Sequence, residues 1–207
     1  FSDIEPLPAS KVLVQLEKEN LSIGERVLAQ ELQLTVRGQD KIGIIGPNGV
    51  GKSTLLAKLH QLLSGKREIS LGFMPQAYQE TLQLDLSPVE FLSQTGHKEE
   101  IQKIQSHLAS LNFSYPEMHH QIHSLSGGQQ GKLLLLNLVL RKPNFLLLDE
   151  PTRNFSPTSQ PEIRKLFANY SGGLVTVSHD RRFLKEVCTS IYSLTEHGLE
   201  VVDLQDL

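Results

Sequence analysis

Two hydrophobic periodicities divide this chain. Lys11–Glu19 alternates apolar and polar positions (VLVQLE), and Leu28–Val36 repeats the pattern after a turn marked by Gly24 and Glu25. Period-two alternation predicts strands with one wet face. Gly38 turns the chain again, and Lys41–Ile45 (KIGII) is an apolar run of strand length. Ile69–Met74 (ISLGFM), Phe145–Leu148 and Leu174–Val177 are further runs of that kind. Between them the spacing turns helical, over Lys52–Leu63 and over Lys98–Leu111, where Ile101, Ile104, Leu108 and Leu111 recur. Glu99 and Lys103 stand one turn apart there, as an outward ion pair would. Ser87-Pro88 predicts an N-cap with proline at the first helical position, continued by Val89–Ser93. Ser126–Arg141 reads as another helix, and Ile191–Leu194 with Leu199–Val202 as a hairpin closed by Glu196-His197-Gly198.

Strands alternating with helices predict an α/β fold with a mostly parallel central sheet covered on both faces. The first two strands add an N-terminal antiparallel portion, and residues 77–124 form a small helical subdomain. Residues 1–10, with Pro6 and Pro8, read as a linker remnant ahead of a domain over 11–207. The chain begins at Phe1 rather than Met, as a piece of a longer protein would.

Composition narrows the classes. A chain of 207 residues with 39% hydrophobic content supports a buried core. A net charge of −3 gives no global basic surface for nucleic acid. The longest apolar run, Leu133–Leu140, is too short to span a bilayer and holds Asn137. Cys188 is the sole cysteine, so no internal disulfide forms, and a cytoplasmic location is expected.

The chemistry concentrates in four segments. Gly46-Pro47-Asn48-Gly49-Val50-Gly51-Lys52-Ser53-Thr54 fits G-x-x-x-x-G-K-[ST], between a strand and a helix as that phosphate-binding loop requires. Its glycines let backbone N–H groups close on an anion at a helix N-terminus. Lys52 can reach terminal phosphates, and Ser53 can ligate Mg²⁺. Phe145–Thr152 (FLLLDEPT) delivers two acids at a strand's C-terminal end, where ligands of open α/β sheets bind. Asp149 is placed to hold Mg²⁺, and Glu150 to orient or deprotonate a water. Leu125–Gln130 (LSGGQQ) makes a second helix start, capped by Ser126. Ser178-His179-Asp180 ends the last buried strand, where His179 can donate to a phosphate. His119, His120 and His123 are spaced too loosely for a ligand set and read as a polar loop.

Together GPNGVGKST, Gln76, LSGGQ, FLLLDEPT and SHDRRFL, in this order, resemble the nucleotide-binding domain of the ATP-binding cassette (ABC) superfamily, a P-loop NTPase fold. The resemblance covers nearly the whole chain from Lys11, and LSGGQ discriminates it from other P-loop families. It implies ATP and Mg²⁺ as ligands, with a second cassette meeting this one head to tail around the nucleotide. Ser126, Gly127, Gly128 and Gln129 would then contact ATP held by that partner. Gln76 would link Mg²⁺ and the γ-phosphate to the helical subdomain, beside the metal ligands Ser53 and Asp149. Glu150 would be the catalytic carboxylate and His179 the switch histidine.

The short interval from Thr54 to Gln76 and the VSHDRRFL segment resemble the ABC-F branch, whose members carry two cassettes and act on ribosomes. The Pro-bearing start resembles the C-terminal cassette after its linker. The alternatives are the cassette of a membrane transporter and a non-hydrolysing nucleotide-binding module. ABC-F proteins commonly continue DEPT with Asn-His-Leu-Asp, whereas Arg153, Asn154, Phe155 and Ser156 stand here. This variant resembles a subset that includes antibiotic-resistance, ribosome-protection members. The adenine-stacking aromatic is also missing: Ile23 occupies its place, leaving aliphatic contact from Leu21 or Ile23 and weak ATP-over-GTP discrimination.

Overall fold

The computed structural model describes residues 4–207. Strands β1 (Val12–Ile23) and β2 (Arg26–Arg37) form an antiparallel hairpin, longer than the alternation alone suggests. Register shifts near Leu16–Glu19 and Glu19–Leu21 explain the difference. Lys18 and Glu31 both take positive φ, at 50° and 55°. Such irregularities add a residue and re-aim the strand, so Leu13, Leu16, Leu21, Leu32, Leu34 and Val36 still reach one buried face.

A second sheet has β3 (Lys41–Ile45), β4 (Leu71–Met74), β5 (Phe145–Asp149), β6 (Gly173–Val177), β7 (Ser190–Thr195) and β8 (Gly198–Val202). Its order is β4-β5-β6-β3-β7-β8, parallel throughout except for the antiparallel β7–β8 hairpin. The strands separate two cores by their period of two. On β5, Phe145 and Leu147 face the core built from α1 (Lys52–Ser64) and the β1–β2 hairpin. Leu146 and Leu148 face the opposite core, formed with α5 (Gly127–Arg141), α6 (Gln160–Ala168) and α7 (Arg181–Val187).

Helix α7 reaches the sheet because β3 carries Gly43: a Cβ there would stand 2.6 Å from Ile191 and 2.7 Å from Leu184. Neither α6 nor α7 is apparent in the hydrophobic pattern. Each is short, and Asp180 starts α7 by accepting from the Phe183 N–H at 3.1 Å.

Residues 77–124 contain α2 (Pro88–Leu92), α3 (Lys98–Ser110) and α4 (Tyr115–His119). Val89, Leu92, Ile104, Leu108, Phe113 and Met118 pack among them. Ser87 caps α2 with proline at its start, as the dipeptide indicates. Ser114 and Glu117 form a reciprocal capping box on α4, a helix the spacing does not reveal. Glu99 and Lys103 are exposed on α3, but the ion pairs among the described residues do not join them. Long exposed side chains gain little from such pairing. Of the expected linker, residues 1–3 lie outside the described residues; Leu7 is buried against the hairpin core, and Gln39 donates to its carbonyl at 2.8 Å.

Cys188 is buried against β3, and desolvation pushes its thiol up to about 12, with Lys41 acting in the opposite direction. The thiolate is the reactive form, so the native thiol is expected to resist an aromatic disulfide reagent near neutral pH and to react fully in denaturant. Rapid native labelling would contradict this packing. Glu100 accepts from the Thr95 N–H at 2.9 Å and from the Gln94 N–H and Thr95 hydroxyl, pinning the turn before α3. Those bonds hold its carboxyl at about 2, against an ordinary 4.5. A depressed acid stabilises the fold above its unfolded value and loses that effect as pH falls through the folded one. Glu100→Gln is therefore expected to lower the melting temperature near neutral pH, with the difference from wild type closing below about 2. A difference independent of pH would contradict it.

Candidate functional site

The C-terminal ends of β3 and β5 open beside the start of α1. Chain direction alone brings their following loops to one edge of the sheet. Ser87, Ser114, Ser126 and Asp180 each cap a helix with a side chain. Helix α1 instead begins at Gly51, φ 111°, with no side-chain cap. Its first N–H groups are therefore available to an anion, at the positive end of the helix dipole. Space at Gly51 is tight as well: a Cβ there would meet Leu28 at 3.1 Å and Leu21 at 3.2 Å.

A cavity of about 840 Å³ lies at this edge. Asn48, Gly49, Gly51, Lys52, Ser53, Thr54, Gln76, Asp149, Glu150 and His179 all line it, as the motifs anticipate. Gly46, Pro47 and Val50 stand behind the lining. The Gly46 and Pro47 carbonyls accept from Lys52 Nζ, the latter at 3.1 Å, and Val50 packs against Gly46 and the hairpin core.

Lys52 is buried to 7% exposure. Desolvation lowers its pKa, with Glu150 and Asp149 holding it up. A desolvated cation held by neutral backbone carbonyls is poised for a stronger anionic partner. Ser53 Oγ donates to Asp149 Oδ2 at 2.9 Å. Asp149 Oδ1 is buried with no hydrogen-bond partner among the described residues. Burial, chiefly, raises the Asp149 pKa; the Ser53 bond lowers it, and Glu150 and Glu80 add to the rise. A hydroxyl oxygen beside an orphaned carboxylate oxygen is a hard-oxygen donor set, which fits Mg²⁺. Gln76 is exposed at the same cavity and can add a carbonyl oxygen.

Glu150 takes φ 50°, uncommon for a residue with a Cβ. The bond from its N–H to the Val177 carbonyl, 2.8 Å, holds that turn and aims the carboxylate across to β6. Glu150 Oε1 contacts His179 Nδ1, and Oε2 accepts from the His179 backbone N–H at 3.3 Å. His179 Nε2 stands 3.3 Å from Lys52 Nζ. Donation by Lys52 to Nε2 places the ring proton on Nδ1, facing Glu150. Glu150, His179 and Lys52 thus form one connected polar chain across the cavity.

Several lining residues carry no role in the sequence reading, among them Thr152, Gln160 and Arg26. Thr152 Oγ1 donates to Asp180 Oδ2 at 2.9 Å, tying the Glu150 turn to the His179 turn. Gln160 donates to the Thr152 and Phe155 carbonyls at 3.3 and 3.1 Å. Arg26 stands at the hairpin side. Asp180 has a visible signal, the Asp-x-x-Phe spacing of an N-cap; the others become neighbours only by folding.

The LSGGQ residues do not line this cavity. Ser126 and Gln129 form a capping box on α5, and Gln129 Nε2 also donates to Glu117. Gly127 has open space around it, and Gly128 meets only the Asn154 carbonyl, at 3.9 Å from a Cβ position. This second helix start lies outside the lining of the cradle, with open space at Gly127. Phe155, at the departing segment after DEPT, is buried; a Cβ on Gly131 would meet it at 3.0 Å and Tyr78 at 3.0 Å. Leu21 is 1% exposed in the hairpin core, which removes it as a base contact, whereas Ile23 is 58% exposed at the cavity. His119, His120 and His123 lie on the surface of the helical subdomain, with Gln105 and Gln121 as neighbours of His119 and His123.

Comparisons with known proteins agree with this architecture. The family profile described as ABC transporter matches residues 29–153. The protein named Probable ATP-binding protein YheS of Escherichia coli (strain K12) is 31% identical over 98% of this chain and 33% of its own length. ABC transporter F family member 2 of Arabidopsis thaliana is 28% identical over 87% of this chain and 28% of its own length. Ribosome protection protein VmlR of Bacillus subtilis (strain 168) is 29% identical over 92% and 36%. The chain thus spans about a third of the length of these relatives. Among solved structures, the dimeric post-hydrolysis state of the ATP-binding cassette MJ0796 bound to ADP and Pi superposes with a TM-score of 0.75 at 19% identity, covering 92% of this chain and 98% of that one. No helix among the described residues is long and apolar enough to cross a membrane. The chain belongs to the ATP-binding cassette family, as a nucleotide-binding domain of the ABC-F kind.

Proposed function

We propose that this chain is the ATP-hydrolysing C-terminal cassette of a longer ABC-F protein that acts on the ribosome in the cytoplasm. The observation that carries the hydrolytic part is the pairing of an orphaned Asp149 oxygen beside Ser53 with a strained, neighbouring Glu150. The first is a metal-binding donor set and the second a general base on the same edge. The ribosomal part is supported by likeness to a relative named a ribosome protection protein, and antibiotic resistance is the finer form of that reading.

The residues divide the work. The N–H groups of Gly49–Thr54 receive the phosphates, and Lys52 exchanges its bonds to Gly46 and Pro47 for phosphate oxygens. Ser53 and Asp149 would hold Mg²⁺, with Gln76 beside them, and the ion would supply charge neutralisation to the phosphates. Glu150 takes a proton from the attacking water as the new P–O bond forms and the bond to the ADP oxygen breaks. His179 holds Glu150 in place through Nδ1, and Thr152 and Asp180 hold the two turns together. A second cassette presents its own LSGGQ face to this nucleotide, while Ser126, Gly127, Gly128 and Gln129 serve the nucleotide of that partner. The open surroundings of Gly127 support this division.

Glu150→Gln in the full-length parent keeps the side chain's shape and removes its basicity. The expected result is a loss of turnover of about 10²–10⁴-fold with ATP binding retained. ATP-dependent co-sedimentation with ribosomes should increase in the same variant. Unchanged phosphate release would refute the role of Glu150, and absence of ribosome association under all nucleotide conditions would refute the ribosomal assignment.

A further inference from the structure

The hairpin side of the cavity carries a base-recognition device that no aromatic residue supplies. Ile23 and Arg26 are directly opposed partners where β1 meets β2, and Leu28 follows Arg26 by two positions. Opposed residues of an antiparallel pair project to the same face, and Leu28 is the extra residue between the Ser22–Val27 and Leu21–Ala29 pairs. All three line the cavity. Leu28 presses on the cradle itself, 3.1 Å from where a Gly51 Cβ would stand. A ligand held at Lys52 and Ser53 therefore extends its remaining bulk along this face.

Neither Phe, Tyr nor Trp lines the cavity among the described residues, and its one imidazole, His179, is engaged with Glu150 and Lys52. Arg26 is exposed, and its guanidinium joins no ion pair among the described residues. Ile23 beside it is a large apolar side chain left 58% exposed. A planar cation next to an uncovered aliphatic surface suits a flat, π-rich, partly apolar ligand portion. A purine has those properties; inorganic phosphate has not.

We propose that Arg26 stacks its guanidinium on the nucleobase while Ile23 covers the rest of the ring, making this pair the base clamp of the cassette. The proposal rests on the nucleotide reading above. Stacking addresses the π-face shared by adenine and guanine, so the clamp accepts both purines.

The test is a set of titrations on this chain with MgATP, MgGTP and magnesium tripolyphosphate, for wild type, Arg26→Ala and Arg26→Tyr. Wild type should bind the two nucleotides within about threefold of each other. Arg26→Ala should weaken both by about two- to fivefold, the range of an exposed cation–π contact, and leave tripolyphosphate unchanged. Arg26→Tyr should regain the lost affinity, because an aromatic ring restores stacking without the charge. Equal weakening of tripolyphosphate would make Arg26 a phosphate contact and overturn the clamp, as would unaltered nucleotide binding in Arg26→Ala. A strong preference of wild type for one purine would overturn face stacking. Failure of tripolyphosphate and both nucleotides to bind wild type would instead remove the cradle reading, and the clamp with it.

Discussion

Strand β5 constrains the rest of the molecule. Every residue from Phe145 to Asp149 is buried, with alternate side chains committed to two different cores. A strand buried on both faces cannot slip by one residue without exchanging both cores. Its acidic end is therefore fixed in space, and Asp149 meets Ser53 at the start of α1. The two motifs, 96 positions apart in the chain, become one site through that register.

The site so formed is electrostatically loaded. Lys52 and Asp149 both have their charged forms disfavoured by burial, and each is partly supported by the other's charge. Asp149 keeps an oxygen without a partner, and Glu150 occupies a left-handed backbone conformation. Such costs persist where surrounding structure over-determines them and ligand binding relieves them. Packing on both sides of β5, β6 and β3 supplies that rigidity. The same cavity lacks the LSGGQ residues, whose side chains cap α5 and bond to Glu117. One fold thus holds a cradle and, elsewhere, a second capped helix start that the cradle does not use.

Legibility followed the range of the interactions. The glycine loop and its flanking elements were readable because both the φ requirement and the strand–helix context are local. So were the Ser87 and Ser126 caps. Fully apolar runs located β5 and β6 to within a residue. The helices α4, α6 and α7 were not readable, since five to nine residues give too few turns for periodicity; only α4 and α7 have a side-chain cap to mark them. The irregularities at Lys18 and Glu31 were invisible for a different reason: neither is a residue type that favours positive φ, so no local signal marks them. A further register shift, between Leu21 and Ser22, separates buried Leu21 from exposed Ile23. Gln160 and Arg26 joined the site through contacts between segments, which no spacing encodes, and so did the bond from Thr152 to Asp180.

The central claim is that the loop at Gly46–Thr54 and the acid at Asp149 receive one magnesium–triphosphate unit. A crystal structure of this chain grown with Mg²⁺ and a non-hydrolysable ATP analogue tests it most directly. The account predicts phosphate oxygens on the N–H groups of Gly49–Thr54, Lys52 released from the Gly46 and Pro47 carbonyls, and the metal on Ser53 and Asp149. Nucleotide bound elsewhere, or an empty cradle with Lys52 still on those carbonyls at saturating ligand, would contradict it.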